Sequence, residues 1–284
     1  AAHAMANWDR DAVVDLLRDC APSALRFYDD PQRELKADRS LVTAADRAIE
    51  DRMAEALDDP PAGVYMIGEE TVGRHGEDYV AGALAGRTWV VDPIDGTASY
   101  AHHVPAWGIS VGLMEGGVLR EGAVLLPPTG ELFISDGDAV FFAERCPEGG
   151  AVDLRPLKPR PRAWDDGALI ALAQTVAKRR LLRLPNPVHA LACAVMPLPY
   201  LLLGRYAAYV GALKLWDFAG ALPLLLKCGF VGKLADGRRI GPDIAAGLVE
   251  LEAGHPRRWA MAEPAVFAAT EAACDTLAGA IVRP

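Results

Sequence analysis

Two aspartates three residues apart, Asp92 and Asp95, sit in the run Thr88-Trp89-Val90-Val91-Asp92-Pro93-Ile94-Asp95-Gly96-Thr97. Trp89, Val90 and Val91 are apolar and partly β-branched, the pattern of a buried strand. Pro93 lacks an N–H and pushes Asp92 out of the helical region, so the strand is expected to stop at Asp92. Gly96 permits a turn, or the close approach of a ligand, that a side chain would block. The turn therefore brings two carboxylates to the end of a buried strand, beside the N–H groups of Gly96 and Thr97. Two such anions about 4 Å apart repel by ~4 kcal/mol at an effective dielectric near 20. A shared proton or a bound cation would offset that repulsion. A strand-ending turn with an aspartate cap is the plainer use of the same residues.

Trp89 through His102, W-V-V-D-P-I-D-G-T-A-S-Y-A-H, resembles the signature of the inositol monophosphatase family of metal-dependent phosphatases. Other stretches agree with it in the family's order: Leu41-Val42-Thr43-Ala44-Ala45-Asp46 with Ile49-Glu50, Ile67-Gly68-Glu69-Glu70, and Trp216-Asp217-Phe218-Ala219-Gly220. The resemblance covers nearly the whole chain. It implies an α+β / α/β fold, a five-layer αβαβα sandwich, a homodimer and sensitivity to lithium.

For the site, the resemblance implies two or three Mg²⁺ ions held by Glu70, Asp92, the Ile94 carbonyl, Asp95 and Asp217. Asp92 would bridge two of them, with Glu70 and Ile94 completing one ion and Asp95 and Asp217 the other. Four carboxylates with no histidine or thiol form a hard, all-oxygen set that suits Mg²⁺, with Mn²⁺ as the alternative, better than Zn²⁺. Glu70, Asp92 and Thr97 take the catalytic roles: the metals activate a water that Thr97 orients. Asp95, Gly96 and Thr97 lie against the substrate, the last two holding its phosphate with their N–H groups. Glu69 is a neighbour of less defined role, and Lys36 and Asp46 lie near the metals.

The elements that must place these residues are legible in outline. Trp8 to Arg26 reads as an amphipathic helix with Val13, Leu16, Leu17 and Cys20 on one face, and 27–40 as a loop or extended hairpin. Thr43 followed by Asp46 is a capping-box-like start, making Asp46 a cap more readily than a ligand, and Ile49, Met53 and Leu57 stripe the helix that follows. Val64 to Ile67 is a short strand, 71–87 a polar stretch, and Ala98 to Ala101 a helix start. Strands at Trp107–Met114, Val118–Leu126 and Glu131–Ser135 form a meander. Within it Gly108-Ile109-Ser110-Val111-Gly112 matches the serine-hydrolase elbow, which requires a strand, a sharp turn and a helix, whereas this run continues as strand.

Arg155 to Arg162, basic and proline-rich, reads as a linker. It divides an N-terminal α+β sub-domain (7–150) from a C-terminal α/β sub-domain (151–284), with the boundary between Glu148 and Asp165. In the second part Ala190 to Val210 is apolar, but Pro197, Pro199 and Arg205 interrupt it, favouring a buried helix over a membrane span. Asp217 before an apolar run reads as a helix N-cap, a position that still leaves an oxygen for a cation.

The net charge of −9 argues against a nucleic-acid face, and it suits an anionic substrate only where bound metal inverts the local field. Five cysteines without a C-x-x-C pair suggest reduced thiols in a cytoplasmic protein. Ala1 to Met5 reads as a remnant of expression and is set aside.

The expected function is a Mg²⁺-dependent phosphomonoesterase acting on a small polyol or sugar phosphate. A 3′-phosphonucleotide or fructose-1,6-bisphosphate phosphatase, with Lys178-Arg179-Arg180 serving a second phosphate, is the alternative within the superfamily. A metal-binding regulatory relative without turnover is the alternative from a different functional class. The substrate side departs from the family's pattern. Ala192-Cys193 stands for its Gly-Ser, Ala207 for an aspartate, Val210-Gly211-Ala212 for a segment that often supplies a glutamate, and Lys227-Cys228-Gly229-Phe230 for Glu-Ala-Gly-Gly.

Overall fold

The computed structural model describes residues 4–29, 33–35, 41–146 and 149–282. Helix α1 (Arg10–Tyr28) is capped by Asp9, whose carboxylate accepts from the Asp11 and Ala12 N–H groups, and it buries Val13, Leu16, Leu17 and Cys20. Met5, set aside above, is part of the packing. Its N–H donates to Ala56 O (2.8 Å) and its carbonyl accepts from the Trp89 indole (2.9 Å). Strands β1 (Arg33–Leu35) and β2 (Leu41–Thr43) pair antiparallel, while Lys36, between them, lies outside the described residues. Helix α2 (Ala44–Leu57) starts at the Thr43/Asp46 capping box and turns Ile49, Met53 and Leu57 inward.

Strand β3 (Val64–Gly68) is followed by α3 (Glu77–Ala85), a helix in the stretch that reads only as polar; Val80 and Ala83 are its buried face. Strand β4 (Arg87–Asp95) is longer than expected, passing through Pro93. Pairing with the parallel β3 ends at Gly68 and Val91, so the missing N–H is not needed on that side. On the other side the register with the next strand shifts between Asp92 and Asp95, a bulge that accommodates the proline. After α4 (Thr97–Tyr100) come β5 (Gly108–Glu115), β6 (Val118–Leu126), β7 (Glu131–Asp136) and β8 (Ala139–Ala143), the expected meander, and then β9 (Arg155–Pro156). Ser110 lies inside β5, paired with Asp92 and Val124, so the elbow geometry is absent there.

The remaining chain forms β10 (Ile170–Ala173), α5 (Gln174–Lys178), β11 (Val188–Leu191), α6 (Pro197–Leu202), β12 (Ala208–Gly211), α7 (Leu215–Ala219), α8 (Leu222–Lys227), β13 (Val231–Leu234), β14 (Ala265–Ala268) and α9 (Glu271–Ala280). The stretch from Ala190 to Val210 is therefore a strand end, a short helix and a second strand, not one helix. Pro197 opens α6, and Gly204, at φ +68°, follows its end. Among the described residues no helix is long and apolar enough to cross a membrane.

Strands β3 to β9 make a seven-stranded sheet in sequence order, and the five-stranded sheet runs β11-β10-β12-β14-β13. Strand alternation sorts the core into faces. Trp89 and Val91 point to the side of α1 and α2, while Val90 points to the side of α6, α7 and α8. In the second sheet Tyr209 and Phe267 face that same helical layer, while Ala208, Val210 and Val266 face α5 and α9. The result is the five-layer α+β sandwich, with α6 to α8 between the sheets.

Candidate active site

Asp92 shares the strand parity of Val90, so its carboxylate enters the inter-sheet layer, where α7 packs on β4 and β5. The seat for α7 is made of backbone. A Cβ at Gly112 would stand 2.5 Å from Ala219 O, one at Gly122 would overlap Gly220 O, and one at Gly220 would overlap Ser110 Oγ. Three glycines thus let the helix that carries Asp217 sit directly on the sheet that carries Asp92. Asp92, Asp95 and Asp217 each offer an oxygen, all within 4.8 Å of one another.

The three carboxylates are satisfied very differently. Both oxygens of Asp92 are buried without a hydrogen-bond partner. Asp95 Oδ2 accepts from the N–H groups of Ala194 (2.6 Å) and Val195 (2.5 Å), and the Gly96 N–H also bonds the Asp95 carboxylate. Asp217 is the third residue of α7, and Lys214, not Asp217, is the N-cap; the carboxylate reaches back to accept from the Lys214 N–H at 2.7 Å. That corrects the expected N-cap while keeping the carboxylate at the helix start, where the dipole favours it.

Electrostatics register the crowding. Burial, and then the charges of Glu69, Asp95, Asp217 and Asp46, push the Asp92 carboxyl far above its usual range. Burial and the charges of Asp95 and Glu69 do the same to Asp217, against the Lys214 N–H and ammonium. Asp95 is pushed up to about 7 by burial, although the Val195 and Ala194 N–H groups pull it down. In this form the cluster favours protons. A divalent cation would serve the same end, and the donor set is all oxygen.

Around the cluster, α2 contributes two buried acids one turn apart, Asp46 and Glu50. Asp46 Oδ2 accepts from the Thr43 N–H (2.7 Å) and hydroxyl (2.5 Å), so it is a cap. Its other oxygen stands 3.2 Å from the Thr97 hydroxyl, which also lies 3.0 Å from the Ile94 carbonyl. Burial pushes Asp46 up to about 6. Gly96, at φ +98°, is required: a Cβ there would meet Ala106 O at 2.7 Å.

The two glutamates after β3 separate in a way the sequence did not show. The charge of Glu69 helps to raise Asp92, Asp95 and Asp217. That of Glu70 acts on Arg47 and Glu50, and both charges act on Asp46. Among the described residues the three-carboxylate group contains neither. Sequence reasoning also missed the Ala194 and Val195 N–H groups, which carry no side-chain signal, and the glycine seat of α7.

A rim is formed where the parallel strands β11, β10 and β12 end together, the edge at which open α/β sheets commonly bind ligands. These ends lead to Ala192-Cys193, Gln174-Thr175 and Ala212 to Lys214. Lys178, Arg179 and Arg180 close α5, which packs on the outer face of that sheet, away from the layer that holds Asp217.

The model of the inositol monophosphatase family matches residues 14–273. The chain belongs to the inositol monophosphatase family. It is, with that family, a phosphoric monoester hydrolase. An inositol-1-monophosphatase of Mesorhizobium japonicum is 27% identical over 217 residues, 73% of this chain and 77% of that protein. A histidinol-phosphatase of Mycobacterium tuberculosis is 37% identical over 94 residues, and the match spans only 34% of its length. A solved structure described as an IMPase/NADP phosphatase with Mg²⁺ and phosphate superposes with a TM-score of 0.69 at 16% identity, covering 94% of this chain and 91% of that one. At that identity the likeness concerns the fold.

Proposed function

We propose that the protein is a Mg²⁺-dependent phosphatase of a small phosphorylated metabolite other than inositol phosphate. The carrying observation is Asp92, whose two buried oxygens have no partner inside a knot of three carboxylates. An unpaired buried carboxylate is too costly to keep without a cation or proton. Asp92, Asp95, Asp217, the Ile94 carbonyl and one glutamate of the Glu69-Glu70 pair would hold the ions. The electrostatics favour Glu69 for that place over Glu70. Bound there, Mg²⁺ would lower the pKa of water and neutralise charge on the phosphoryl group.

The chain's own groups complete the arrangement. The Thr97 hydroxyl, donating toward Asp46 Oδ1, leaves a lone pair that can accept a hydrogen bond from the attacking water. Asp46, raised to about 6, can take the proton passed through that hydroxyl. The Thr97 N–H faces the phosphate. The Gly96 N–H, already bonded to Asp95, steadies that carboxylate before it serves the substrate.

Ala192, Cys193 and Ala212 give the rim few groups for a polyol, so an inositol ring would leave hydroxyls unpaired there. The exposed cations at the end of α5 lie on the wrong face for a second phosphate. We also infer a homodimer by family precedent, and a cytoplasmic setting, which suits five free cysteines. Residues 7–150 and 151–284 would act as two sub-domains, except that Arg155 and Pro156 add a last strand to the sheet of the first. Two measurements test the reading: Mn²⁺ titration by calorimetry, and hydrolysis of inositol, sugar, histidinol and nucleotide phosphates with Mg²⁺. We expect micromolar-to-millimolar binding and a preferred ester that is not inositol 1-phosphate. Absence of binding sinks the metal reading, and preference for inositol 1-phosphate sinks the substrate reading.

A further inference from the structure

One buried acid stands outside the carboxylate knot and has no part in the chemistry described so far. Glu50 is fully buried on α2, one turn beyond Asp46. Both its oxygens are directed at one turn of chain. Oε2 accepts from the Glu70 N–H at 2.9 Å; Oε1 accepts from the Thr71 N–H at 2.8 Å and from the Thr71 hydroxyl. The approach is possible because residue 68 is glycine, since a Cβ there would overlap Glu50 Oε1. Neither Glu50 nor Asp46 reaches the other's partners: Asp46 holds Thr43 and Thr97.

We propose that Glu50 is a positioning residue for the metal site, a three-point clamp on the turn Gly68-Glu69-Glu70-Thr71 that fixes the chain from which the glutamate ligand of that site comes. The inference rests on the metal reading above and deepens it. A hydrophobic residue in its place would leave two backbone N–H groups and a hydroxyl of that turn without acceptors, and the turn would be free to rotate. A glutamine would keep one acceptor and set an NH₂ against an N–H. The clamp touches neither substrate nor metal; it acts through the glutamate it orients.

The test compares wild type with Glu50→Gln, Thr71→Val and Gly68→Ala, and with Met53→Ala on the buried face of the same helix as a stability control. Mn²⁺ affinity is measured by calorimetry without substrate, alongside melting temperature, kcat and KM on a generic phosphate ester. Glu50→Gln and Gly68→Ala, which disturb the same contact from its two sides, should each weaken Mn²⁺ binding ~10-fold or more. Thr71→Val, which loses only the hydroxyl, should weaken it ~3-fold and serves if the others fail to fold. In all three kcat should fall at saturating ester and recover in part as Mn²⁺ is raised. Met53→Ala should melt earlier yet bind Mn²⁺ within ~2-fold of wild type. Affinities of Glu50→Gln or Thr71→Val equal to wild type would overturn the clamp alone. A wild-type protein that binds no Mn²⁺ would overturn the metal reading and the clamp with it.

Discussion

The corner at the end of β4 and the rim at the ends of β10, β11 and β12 meet where the Ala194 and Val195 N–H groups hold Asp95, and they are built on opposite plans. At the corner, Asp46, Glu50, Asp92 and Asp95 are all buried, and the backbone around them is locked by glycines that no other residue could replace. At the rim, the corresponding positions are Ala192, Cys193 and Ala212, small groups with little to say to a ligand. The contrast teaches that the reaction and the choice of substrate are carried by separable parts. One is a strained concentration of charge that tolerates no change. The other is a set of small side chains on a shared strand edge, of which Ala212 is exposed and Cys193 buried.

The largest effect should come from the corner. Asp92→Asn should lower kcat/KM at least ~10³-fold, the loss of several kcal/mol of charge stabilisation. Without metal at pH 7.5 the same variant should melt ~2–6 °C higher than wild type, because the carboxyl that folding forces to take up a proton, a cost of ~1–3 kcal/mol, is gone. An apo protein whose melting temperature falls instead would break the picture of stored strain. Next, Glu69→Gln should weaken Mn²⁺ binding ~10-fold or more, while Glu70→Gln should do so less; calorimetry on both decides which glutamate belongs to the corner.

A smaller effect links corner and helix. Gly122→Ala forces a Cβ against Gly220 O, so it should destabilise the protein by ~1–3 kcal/mol in urea and lower kcat through displacement of Asp217. Unchanged kcat would detach the glycine seat from the chemistry.

The pH dependence has a definite sign. Asp95 and Asp46 are raised to about 7 and about 6, from usual values near 4. The folded protein therefore binds more protons than the unfolded chain between these limits. Their contribution is fully present below about pH 4 and is lost as pH rises to about 7. Metal-free protein should accordingly melt lower at pH 7.5 than at pH 5, and Mg²⁺ at ~100-fold its Kd should add about 2.7 kcal/mol at the higher pH. The smallest effect belongs to the rim: Cys193→Ser should leave kcat on a generic ester within ~3-fold while shifting the ranking of substrates, read as kcat/KM across the panel.

Much of the corner could be read from the chain because it is local. Asp92, Asp95, Gly96 and Thr97 lie within one turn, and the Thr43/Asp46 box announces α2. What was not legible is long-range or made of backbone. The passage of β4 through Pro93 depends on where β3 stops pairing, a fact about another strand. How the two adjacent glutamates are presented depends on the turn that Glu50 holds. The α3 helix hid because its first turn is acidic and only Val80 and Ala83 are buried. Pro197 and Gly204 divide the apolar stretch that reads as one helix, because its composition is uniform while its breaks are single residues.

Asp95 does not belong to the corner alone. One of its oxygens is gripped by the amides of Ala194 and Val195, in the same loop that buries Cys193 against the core. Any insertion or deletion in that loop would tug on the carboxylate it holds. New specificities can thus arise there only by exchanging side chains over an unmoved backbone, and loop grafts between relatives should silence the enzyme unless those two amides return to their places.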